Sequence, residues 1–154
     1  MKYFGSTVEF TRQRNADIMR VFRQKLVEAD VIRMDEICRQ VAESPSCRFW
    51  VSERRAAIVI SAMESGRVVP CMTVPCMTEN KREMFAEIFR RYQELRPLHP
   101  DTSLLELATV IVNQPAPKFY FTPRTIREFI CRIRNGYYDR KQDRIGRNGF
   151  SEGN

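Results

Sequence analysis

Apolar positions recur along this chain at helical spacing, and they do so twice. They fall at Ala56, Val59, Ile60 and Met63, and again at Ile126, Phe129, Ile130 and Ile133, the i, i+3, i+4, i+7 order that lays one stripe along a helix. Each stripe follows a hydroxyl residue, Ser52 or Thr122, placed to accept a hydrogen bond from the first free backbone N–H groups. Each is followed by a glycine, Gly66 or Gly136, suited to the left-handed residue that ends a helix. Pro123 stands at a first helical position, where its missing N–H costs nothing. A shorter stripe runs ahead of each long one: Ile37, Cys38, Val41 and Ala42 up to Pro45, and Leu104, Leu107, Ala108 and Ile111 up to Pro115. Ser103 and Glu106 open the latter at capping-box spacing.

Residues 35–66 superpose on residues 105–136 without a gap, at an offset of 70. Glu36, Pro45, Phe49, Arg54, Ile60 and Gly66 meet identical residues, while Trp50 meets Tyr120, Ser52 meets Thr122 and Arg48 meets Lys118. Upstream, residues 17–24 resemble residues 84–91, so the repeating unit is three helices long. The pattern predicts an all-α fold of two tandem three-helix, helix-turn-helix-like units packed together. The first spans 1–66, a linker 67–79, the second unit 80–136, and a basic flexible tail 137–154. The linker carries Val-Pro-Cys-Met-Thr twice in succession, and its prolines predict a non-helical segment. The aromatic pairs Phe49 with Trp50 and Phe119 with Tyr120 are expected to close the core beneath the turn before each third helix, rather than to stack on bases.

Charge brings in partners. The net charge is +7 and the pI about 9.5, which points toward polyanions. Five cysteines in a chain without an export signal read as reduced thiols, so the protein is expected to be cytoplasmic. Cys71 and Cys76 lack a second ligand pair, and the lone His99 lies far from them between Leu98 and Pro100, so no metal or other cofactor is expected. No apolar run approaches the roughly 20 residues that a bilayer-crossing helix needs, and no membrane partner is expected. A Gly-rich phosphate loop, a His pair and a Ser/His/Asp grouping are all missing. Glu83, Glu87, Glu94 and Glu106 sit at spacings typical of surface pairing, and the expectation is a protein that is not an enzyme.

With the stripes buried, the outward face of the first long helix carries Arg54, Arg55, Ile58 and Ser61, and that of the second Arg124, Thr125, Arg127, Glu128 and Arg134. Arginines so placed can pair with guanine edges or phosphates, and Arg48 and Lys118, just ahead of the helices, are candidates for holding the nucleic-acid backbone. Arg140 and Lys141 extend the set into the tail, and residues 118–147 are expected to dominate affinity. Ile58 is awkward on a DNA surface and marks a protein contact instead.

Over residues 35–66 and 105–136 the chain resembles the helix-turn-helix class, and its size and basic character are similar to small DNA-recognition proteins of phages and mobile elements, terminase small subunits among them. The resemblance implies binding of double-stranded DNA by the third helix of each unit. The alternative is a structural or adaptor protein, with a protein partner or a second copy of itself held by the helical units.

Overall fold

A computed structural model describes residues 2–67 and 78–140, the side chains of residues 2–7 excepted. Among the described residues six α-helices follow one another: α1 (Lys2–Glu28), α2 (Met34–Glu43), α3 (Glu53–Glu64), α4 (Glu79–Leu95, continued by a 3-10 turn at Arg96–Leu98), α5 (Leu104–Val112) and α6 (Pro123–Arg134). No strand is present among the described residues, and the all-α expectation holds. The caps form where the hydroxyls predict them. Ser52 accepts from the backbone N–H of Arg55, Ser103 from Glu106 and Thr122 from Thr125. Gly66 and Gly136 follow α3 and α6 with φ of 77° and 70°.

The compact units cut across the sequence repeats. One consists of Met1–Ala42 with Thr122–Asn154 and the other of Glu43–Phe121, instead of 1–66 and 80–136. Each unit thus takes its first two helices from one repeat and its third from the other. The hydrogen bonding of residues 45–51 supplies a physical reason. Ser46 and Ala116 donate to each other's carbonyls at 3.0 Å in an antiparallel bridge, and the N–H of Phe49 donates to the carbonyl of Val112 at 3.0 Å. The connection leaving α2 is therefore tied to the end of α5, and it delivers α3 against α4 and α5.

In the unit Glu43–Phe121, α3, α4 and α5 enclose a core that includes Phe49, Ala56, Ile60, Phe85, Ile88, Leu107, Ile111 and Val112. Each Phe, Ile, Leu or Val among them contributes about 1.5–3 kcal/mol on burial. Phe49 stacks on Tyr120 with ring centroids 6.1 Å apart, and both aromatic pairs are buried, as the sequence predicts. Tyr92 closes the far end by donating its hydroxyl to the Glu64 carboxylate at 2.7 Å.

In the other unit α1 packs on α6, and the buried apolar residues among those described are Ile18, Val21 and Phe22 of α1, Ile37, Cys38, Val41 and Ala42 of α2, and Ile126 and Ile130 of α6. The expectation of a loose tail from residue 137 does not hold at its start. Residues 137–140 are helical, and Tyr138 accepts a hydrogen bond at 3.3 Å from Arg14 of α1. Most of the linker, both of its cysteines, Lys141 and the remainder of the tail lie outside the described residues.

Candidate nucleic-acid interface

Charge divides unequally between the units. Of the 26 Lys and Arg and 19 Asp and Glu, sixteen and ten belong to the unit built on α1, α2 and α6, a net +6. The other unit holds ten and nine, a net +1. The excess that suggested a polyanionic partner thus accompanies α6 rather than both third helices.

The first turn of α6 is set by Thr122 and Pro123, and burial of Ile126 and Ile130 fixes which face turns outward. Arg124, Arg127 and Arg134 then lie within about a quarter turn of one another on that outward face. Arg124 is 88% exposed and stands 3.6 Å from Glu128. Arg127 donates to Asp35 of α2 at 2.8 Å, and the Arg134 guanidinium lies over the ring of Phe22, 5.1 Å from its centre. These partners orient the side chains while leaving Arg127 about half exposed. Arg132, which sequence reasoning did not single out, is exposed on the other side of Arg124 from Arg127 and Arg134, and it stands over the ring of Tyr137 at 5.2 Å. Following the helical spacing into the last turn of α6 brings it in.

Helix α3 differs. It keeps Arg54 and Arg55, both exposed, in its first turn. Beyond them Ala57, Ile58, Ser61 and Ala62 stand where α6 has Arg127, Glu128, Cys131 and Arg132. Ile58 is 54% exposed, and on α5 of the same unit Leu105 and Val110 are 52% exposed each.

Several predicted contact residues are committed elsewhere. Arg48 turns onto its own connection, donating to the carbonyls of Phe49 and Val51 at 3.0 Å and stacking over Trp50. Its burial pushes the guanidinium below its usual pKa, and its role is to satisfy carbonyls that no helix serves. Lys118 is paired with Glu83 of α4 at 2.6 Å. Thr125 belongs to the cap of α6, its N–H and hydroxyl both meeting the Thr122 hydroxyl. Arg140 is exposed beyond α6. The consecutive helices expected to form a helix-turn-helix fall in different units, α2 apart from α3 and α5 apart from α6.

Among the described residues no group of three or more His, Cys, Asp or Glu side chains is arranged to hold a metal. Burial raises the pKa of the Cys38 thiol, which keeps it neutral. No helix among the described residues is long and apolar enough to cross a membrane. Compared with protein-family models, curated proteins and solved structures, the chain matches none.

Proposed function

We propose that this chain is a non-enzymatic nucleic-acid-binding protein, with double-stranded DNA as its leading partner, and that it binds through α6 and not through both third helices. The observation that carries this reading is the gathering of nearly all the net positive charge in the unit whose outward helix face holds Arg124, Arg127 and Arg134. Neutralising phosphates with such a face releases counterions, so log affinity falls with log salt by about 0.9 per phosphate contacted. Titration of labelled duplex at several salt concentrations tests it. Replacing Arg124 and Arg127 by alanine is expected to weaken binding and flatten the salt slope, whereas replacing Arg54 and Arg55 changes little. Equal losses from both pairs return the function to the two-reader arrangement, and salt-independent binding ends the reading.

A second reading has its own support. Ile58, Leu105 and Val110 are exposed apolar residues on α3 and α5 of the nearly neutral unit, a composition that suits a protein partner. An adaptor of that kind loses its partner when Ile58 and Leu105 become aspartate, with nucleic-acid binding untouched.

A further inference from the structure

A row of rings and guanidinium groups runs from α1 and α6 to the surface of the basic unit. Arg14 lies over the Phe129 ring, 4.1 Å from its centre, and 5.7 Å from the centre of the Tyr138 ring, to whose hydroxyl it donates at 3.3 Å. Tyr138 meets Tyr137 edge to face, with centroids 5.2 Å apart and planes at 87°. Arg132 in turn stands over Tyr137 at 5.2 Å. The inner members are held, since Arg14 and Tyr138 are partly buried, and the last ring is not, since Tyr137 is 40% exposed. Gly136 makes the arrangement: its φ of 70° ends α6 and turns the chain so that residues 137–140 come back beside α1.

A partly exposed aromatic ring that meets a second ring edge to face and carries an arginine over it has the features that single-stranded nucleic acid uses. Bases stack on such rings, and the guanidinium supplies both a planar neighbour and a phosphate partner. Paired bases inside a duplex present no open face to it. From this geometry we infer that Tyr137 with Arg132 is a stacking site for an unpaired nucleobase, in addition to the basic face of α6. The inference rests on the reading that this unit binds nucleic acid, and it names a substrate class that the charge alone does not.

The test uses the full-length protein with three probes of equal length: an oligothymidylate strand, the same strand with abasic sites, and a blunt duplex. Tyr137→Ala is expected to lower affinity for the oligothymidylate by about five- to a hundred-and-fiftyfold, the range for loss of one stacked base. Tyr137→Phe retains the affinity, the abasic strand responds to neither variant, and duplex affinity stays within about twofold. A strand carrying 5-bromouracil crosslinks to residue 137 under ultraviolet light. If the wild-type protein binds duplex with a salt slope but Tyr137→Ala holds the oligothymidylate as well as wild type, the stacking site is overturned and the broader reading stands. An equal loss of duplex and single-strand binding also overturns it, and binding to none of the three probes ends both.

Discussion

Ser46 and Ala116, seventy positions apart and equivalent in the two repeats, hold each other by a reciprocal pair of backbone hydrogen bonds of 3.0 Å. The bridge lies in the connections that lead to α3 and α6, and Ala116 and Ser46 are both nearly inaccessible to water, at 2% and 3% exposure. Unmaking it leaves two buried donors unpaired, each costing about 1–3 kcal/mol. The pairing binds the first repeat's outgoing chain to the second repeat, so neither repeat carries the partners its own third helix packs on.

This division predicts how the protein responds to being split. Two fragments separated between residues 67 and 78 each contain three helices, yet α3 is parted from α4 and α5, and α6 from α1 and α2. Each fragment alone is expected to show weak helical circular dichroism and no cooperative melting, and an equimolar mixture to recover both. A first fragment that melts cooperatively by itself shows that α3 can close on its own repeat.

Asp35 offers a test of the proposed affinity that leaves stability nearly untouched. Its carboxylate accepts from Arg127 at 2.8 Å while 89% exposed, and an exposed ion pair contributes only about 0–1 kcal/mol to folding. If α6 meets phosphate, that carboxylate competes for the same guanidinium. Asp35→Asn is expected to leave the melting temperature nearly unchanged, to tighten duplex binding several-fold, and to steepen the salt slope by about 0.9. Binding that is no tighter takes Arg127 out of the interface.

The helices themselves were legible in the sequence because their signals are local. Ser52, Ser103 and Thr122 cap whatever helix follows them, and stripes such as Ala56, Val59, Ile60 and Met63 mark the buried face whichever neighbour covers it. That indifference is why the exchange of third helices was not legible. The stripe of α3 is as apolar as any partner requires, and the choice is made by backbone bonds at Ser46 and Phe49 that no side-chain pattern announces. The same logic governs the site residues. Arg48 has the spacing of a phosphate contact, but the structure turns it onto two carbonyls of its own loop, and Arg14 carries no local signal because the residues it bridges, Phe129 and Tyr138, are distant in sequence.

Gly136 and Gly66 offer a backbone test free of packing effects. Both hold positive φ, and a Cβ added at either meets nothing within 4 Å. Alanine at each site therefore costs only the left-handed conformation, about 1 kcal/mol, and asparagine less. Urea unfolding of the four single variants checks this. A much larger cost for Gly136→Ala alone points to loss of the Tyr138 contact with Arg14, which the turn positions.

Tyr120 makes stability depend on alkaline pH. It is 7% exposed, lies against Phe49, and adopts a φ of 60° that is unusual outside glycine. Burial, followed by the nearby carboxylates of Glu87 and Glu83, pushes its phenol up to about 12. An unfolded tyrosine ionises near pH 10. The fold thus favours the neutral phenol, and the stability this adds is fully present below about pH 10 and is lost as pH rises toward 12. Tyr120→Phe keeps the ring and cannot ionise. The stability of wild type relative to this variant is expected to stay level at lower pH and then to fall by on the order of 2 kcal/mol across that window. Urea midpoints measured at intervals from about pH 9 to about pH 11.5 follow the change. Curves that remain parallel throughout show that the phenol reaches water in the folded state, and with it that the pairing of Phe49 and Tyr120 is looser than a stacked core contact.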